Sequence, residues 1–147
     1  MSYSTWNTYG LGVCVDDIKT TPERLLKLAS LDKQTMLDVE KYLNETLNGE
    51  YKIEELTMED FYCLQGDFCE HDVSYVLSRV IKEIPVFYVD DYDGVPYILY
   101  CPTYPWNMTE DEFGITECKV KEIFQKYISI LTDDIVNIEY QNVENGG

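Results

Sequence analysis

Basic side chains are scarce in this chain. Its 147 residues hold 11 lysines and arginines against 28 aspartates and glutamates, with one histidine, giving a formal net charge of −17. A field of that sign repels phosphate backbones and anionic lipid headgroups, so direct nucleic-acid or membrane-surface binding is not expected. The start Met1-Ser2-Tyr3-Ser4-Thr5-Trp6 lacks the basic residues and apolar run of a signal peptide. No stretch approaches the roughly 18 apolar residues of a membrane span. The expected compartment is the cytoplasm. Five cysteines, Cys14, Cys63, Cys69, Cys101 and Cys118, are an odd number among apolar neighbours, as fits reduced thiols inside a cell. Internal repeats, low-complexity segments and a Pro/Gly/Ser linker are missing too, so residues 1–147 read as one domain.

Apolar material is plentiful. Hydrophobic residues make up 45% and aromatics 14% of the chain, too much for a disordered acidic tail and enough for one core without disulfides or metal. Leu11 to Val15 suits an N-terminal strand after Gly10 and Gly12. Thr21-Pro22-Glu23 supplies a cap, an N1 proline and an acid for a short helix ending near Ser30. Asp32 caps a second helix carrying Met36, Val39, Leu43 and Leu47, which Gly49 stops, and the pair is expected to form a helical hairpin. Thr57-Met58-Glu59-Asp60 resembles a capping box opening a brief helix through Leu64. Asp72 caps the next helix, with a stripe of Val73, Val76, Leu77, Val80, Ile81 and Ile84.

Val86 to Val89 and Val95 to Tyr100 are strand-like runs joined through Asp91-Tyr92-Asp93-Gly94, the strongest hairpin signal in the chain. Both are expected to be central strands, with Pro96 marking an unpaired or bulged start. Thr109 and Thr116 are candidate caps, the second for a long helix with Val120, Ile123, Phe124, Tyr127 and Leu131. A last strand is expected over Ile135 to Tyr140. The order β-α-α-α-α-β-β-α-β implies an α+β fold: an antiparallel or mixed sheet of about four strands with helices packed on it, one face less covered than the other.

Catalytic constellations are weak. Cys63, Cys69 and His71 lack the tight ligand pairing of structural zinc. A Cys69–His71 dyad has Glu70 and Asp72 on its flanks, and adjacent carboxylates disfavour a thiolate. With 28 acids, a carboxylate pair suited to glycoside cleavage arises by chance. Asp90-Asp91-Tyr92-Asp93-Gly94 departs from a calcium loop, since Cys101 occupies the place of the bidentate Glu. Gly10-Leu11-Gly12 precedes a strand, whereas the dinucleotide fingerprint follows one. No metal or other cofactor is expected.

What remains is the distribution of acid. Glu54, Glu55, Glu59, Asp60, Asp67, Glu70 and Asp72 follow one another without a lysine or arginine, and Asp90, Asp91 and Asp93 form a second group. A protein imitating DNA needs carboxylates in rows on rigid elements, and Glu55 and Glu59 are expected one helical turn apart, a step of about 6 Å. Tyr92 at the turn tip and Trp106 in a loop are the aromatics expected to face a partner. The sequence thus points to a non-enzymatic acidic protein docking a basic protein surface, expected to be that of a nucleic-acid-binding protein. Its specific form is a phage or mobile-element DNA mimic inhibiting a bacterial defence nuclease such as a CRISPR effector. The alternatives are a small hydrolase or zinc-dependent protein using Cys69 and His71 or a carboxylate pair, and an oligomerising module. In the last, a homodimer would form through a bare sheet face carrying Ile138 and Tyr140.

Overall fold

The computed structural model describes residues 5–61, 72–101 and 115–146. Among the described residues, four α-helices and a four-stranded antiparallel sheet make it an α+β protein. Strands are β1 (Thr5–Cys14), β2 (Phe87–Asp90), β3 (Pro96–Tyr100) and β4 (Glu139–Gly146), and the sheet order is β2-β3-β1-β4. Helices are α1 (Pro22–Ala29), α2 (Lys33–Leu47), α3 (Asp72–Val80) and α4 (Glu117–Leu131).

The helices begin where their capping chemistry places them. The Thr21, Asp32 and Thr116 side chains accept the N–H groups of Arg24, Thr35 and Lys119, satisfying donors that a helix start leaves free. Helix α2 ends on Asn48 and Gly49, both left-handed at φ 55° and 75°, whose N–H groups return to the Asn44 carbonyl. The expected stripes are the buried ones: Val39 and Leu43 in α2; Val73, Val76, Leu77 and Val80 in α3; Val120, Ile123, Phe124, Tyr127 and Leu131 in α4. Helix α1 packs against α2, α3 and α4, while α3 lies on β3 and α4 on β1. Beneath them, Leu11, Val13, Ile98 and Tyr100 from the covered sheet face complete the core.

The structure corrects four expectations. The first strand spans Thr5–Cys14, and Val15 already belongs to a 3-10 turn, Val15–Asp17. Only β3 of the hairpin is central, since β1 takes the other central place and β2 is an edge. The last strand is Glu139–Gly146, because pairing with β1 begins at Glu139 opposite Gly12, and Ile135 stands 97% exposed before it. The brief helix after Thr57 is a 3-10 turn, Met58–Phe61, separate from the turn Ile53–Glu55. Pro96 behaves as expected: it opens β3 opposite Asp90, while pairing of β3 with β1 starts one residue later at Tyr97. The proposed cap at Thr109, residues 62–64, and the Asp72 side chain lie outside the description.

The sheet is not an open ribbon. Strands β2 and β4 are its two edges, yet the Tyr92 N–H in the turn after β2 donates to the Glu144 carbonyl of β4 at 2.9 Å. The edges therefore meet, which requires strong coiling of the intervening strands. Gly10 and Gly12 permit it: a Cβ on Gly12 would overlap the Ile98 carbonyl oxygen, and one on Gly10 would lie 2.8 Å from that of Tyr100. Leu99 and Val143 point to the same face as these glycines, opposite the helices, and are buried apart from the main core.

Candidate acidic interface

The β2–β3 turn is built by an acid. One Asp91 carboxylate oxygen accepts the N–H groups of Asp93 and Val95 at 2.8 and 2.9 Å, and the Asp91 main chain bonds to Val95 and Gly94. Such an aspartate imitates a backbone turn, and Gly94 supplies the positive φ of 83° that closes it. The Asp90 carboxylate accepts the Tyr88 hydroxyl. This leaves Asp93 and Tyr92 fully presented, Tyr92 at 65% exposure.

Residues far away in sequence join this tip. Cys14 and Tyr97 are cross-strand partners, with Asp16 and Asp17 exposed in the turn that follows Cys14. Burial raises the Tyr97 hydroxyl pKa, and its neighbour Cys14 and the charges of Asp91 and Asp17 raise it further. Burial also raises the Cys14 thiol pKa, against backbone hydrogen bonds from Asp16 and Asp17 that lower it and with the charges of Asp17 and Asp16 adding to the rise. That thiol stays protonated and is a poor nucleophile. On the other side, the bond from Tyr92 brings the tip against Glu144.

Most of the cations lie elsewhere, Lys19 standing just past the Val15–Asp17 turn. None of the four strands, the β2–β3 turn or the Val15–Asp17 turn contains a lysine or arginine. The five ion pairs among the described residues, Arg24–Asp133, Arg79–Asp38, Lys82–Asp32, Lys121–Glu117 and Lys126–Glu83, all belong to the helices and their connections. Asp16, Asp17, Asp90, Asp91, Asp93, Glu139 and Glu144 have no cationic partner among the described residues. Uncompensated charge on one layer and mixed charge on the other amounts to a polarised molecule.

The acids of the earlier run sit in a different setting. Buried Leu56 and Phe61 anchor two 3-10 turns, the first of them beside α1, with Glu54, Glu55 and Glu59 exposed and free of ion pairs among the described residues. The extended backbone of Leu56 separates the turns, so Glu55 and Glu59 are not one turn apart on a single helix as expected. Asp60 is spent locally, accepting the Thr57 N–H at 2.6 Å in half of a capping box. Asp67, Glu70, Trp106, Cys63, Cys69 and His71 lie outside the described residues, as does the side chain of Asp72. Among the described residues no cluster of three or more potential metal ligands occurs, and no helix is long and apolar enough to cross a membrane.

Asp16, Asp17 and Glu144 escaped sequence reasoning because each is an isolated acid or pair. A signal existed in the cations: none occurs between Glu83 and Cys118 or from Tyr127 to Gly147. Those two stretches contain β2, β3 and β4, and β1 is equally free of them. Compared with protein-family models, curated proteins and solved structures, the chain matches none.

Proposed function

We propose that this protein is a non-enzymatic binding protein whose acidic surface docks the basic face of a nucleic-acid-binding protein, in the manner of a DNA mimic. The observation that supports it is the segregation of charge: unpaired acids on the sheet and its turns, which carry no lysine or arginine, with the ion pairs confined to the helices and their connections. Maintaining like charges together costs self-repulsion, and a basic partner relieves that cost on binding. The acids are also held on rigid elements. The Asp91 turn and the edge-to-edge bond fix Asp93 and Glu144, so little order has to be gained when a partner docks. In its narrowest form the protein occupies the phosphate-binding groove of a defence nuclease, such as a CRISPR effector, and excludes its nucleic acid.

The test is a low-salt pull-down of a basic nucleic-acid-binding protein, repeated at high salt and with competing double-stranded DNA. Capture that is lost under both conditions is the expected result; capture indifferent to both sinks the proposal. Two charge-reversal sets then locate the docking face. Asp16, Asp17 and Asp93 changed to lysine remove the sheet-end surface, whereas Glu54, Glu55 and Glu59 changed to lysine remove the surface of the two 3-10 turns. The sheet-end set is expected to abolish capture.

A further inference from the structure

Tyr9 and Tyr140 stand at the edge of this acidic surface without a role in the core. Their rings stack with centroids 5.4 Å apart and planes within 7°, at 57% and 45% exposure. Strand register explains how they meet: Tyr9 lies opposite Asn142 and Leu11 opposite Tyr140, so the two tyrosines are diagonal neighbours on one face of β1 and β4. Asn7 lies opposite Glu144 on that same face, which sets a carboxylate diagonally across from Tyr9 on its other side. Glu144 is exposed, and neither strand holds a cation. Helices cover this face only over Leu11 and Val13, leaving the tyrosine part bare among the described residues.

We infer that this bare face, formed by Tyr9, Tyr140 and Glu144, is an arginine-binding surface that takes guanidinium side chains from an arginine-rich segment of a protein partner. Each stacked ring spends one face on the other and keeps its second face for a ligand. A guanidinium is planar and weakly hydrated, so it stacks on tyrosine while its N–H fork pairs a carboxylate; a lysine ammonium, compact and strongly hydrated, gains less from the ring. Nucleic-acid bases also stack on exposed tyrosines, but their phosphates would have to approach a cation-free surface on a chain of net charge −17. Charge complementarity therefore selects an arginine-bearing protein. The assignment rests on the docking function proposed above and adds to it side-chain selectivity, which net charge alone does not provide.

The experiment compares a short all-arginine peptide with an all-lysine peptide of equal length, titrated into the full chain at physiological salt. Arginine is expected to bind more tightly by about fivefold to tenfold, as one or two cation–π contacts imply. Tyr9→Ala with Tyr140→Ala should abolish the preference, the Phe pair should retain it, and Glu144→Gln should weaken both peptides. Should the alanine pair fail to fold, the Tyr9 and Tyr140 ring protons of the unsubstituted protein serve as readout: arginine peptide shifts them and lysine peptide does not. Equal affinities, a preference untouched by the alanine pair, or unmoved ring signals overturn the assignment. So does a homodimer, seen by light scattering, that dissociates in the alanine pair, since a second copy would then occupy the face. If both peptides bind equally and reversal of Asp16, Asp17 and Asp93 abolishes binding, the arginine site fails while the docking function stands. If neither peptide binds even at low salt, both fail.

Discussion

Gly12 has no side chain to offer, and the coiled sheet depends on that. A methyl group there meets the Ile98 carbonyl, part of a main chain already paired with β1, and neither strand has room to retreat. Gly12→Ala should lower unfolding stability by about 2–3 kcal/mol, at the upper end for overpacking, as read from a urea midpoint shift. A loss below about 0.5 kcal/mol would show that the strands part easily. Asp32 concentrates several tasks on one carboxylate. It pairs Lys82 at 2.6 Å and caps α2, and the hydrogen bonds from Lys82 and then Thr35 hold its pKa down to about 2 from the usual 3.8. A depressed carboxylate contributes stability that is present above its unfolded pKa and lost as pH falls toward the folded value. Asp32→Ala should cost about 1–2 kcal/mol at neutral pH, allowing for an exposed lysine partner. The gap between variant and parent should close between about pH 4 and pH 2 in acid titrations of stability.

Among the elements, the β2–β3 hairpin separates an acid that builds from acids that present. Asp91→Asn keeps an oxygen to accept the Asp93 and Val95 N–H groups, so stability should change by less than about 0.5 kcal/mol. Asp91→Ala leaves two N–H groups without that oxygen and should cost about 1–2 kcal/mol in the same denaturation assay. Equal losses for both would assign the effect to charge rather than to the turn. The bond from Tyr92 to Glu144 predicts slow exchange of the Tyr92 amide hydrogen despite its exposed side chain, because edge contact ties the tip to β4. Exchange as fast as that of an open turn would mean that the edges separate in solution. The Asp-Tyr-Asp-Gly turn and the helix caps were legible in the sequence because each is decided within four or five residues. The strand limits were not. Ile135 to Tyr140 alternates as a strand should, yet a strand lasts only where a partner lies, and β1 supplies one from Glu139 onward.

For the whole molecule, segregated charge has a thermodynamic signature that is independent of any partner. Repulsion among unpaired sheet acids destabilises the fold at low ionic strength, and salt screens it. Raising sodium chloride from low to about physiological levels and beyond should therefore raise Tm by about 3–5 °C, the shift expected from roughly 1 kcal/mol in a domain of this size. A Tm that stays level or falls would show that the acids lie too far apart to repel one another. By itself the sequence determined the α+β class, the order of elements, the helical core stripes and the sign of the charge, because periodicity, capping and composition act locally or as sums. Only the tertiary structure decided which acids stand together. Asp16, Asp17, Asp91 and Glu144 come from three separated stretches: pairing of β1 with β3 brings the first two to the sheet end that carries the Asp91 turn, and the meeting of the sheet edges adds Glu144, while Glu55 and Glu59, near in sequence, lie in separate 3-10 turns. Strong acidity was a property of the composition; a cation-free sheet beside an ion-paired helical layer is a property of the fold, since pairing of β1 with both β3 and β4 assembles into one surface the segments that carry no cation.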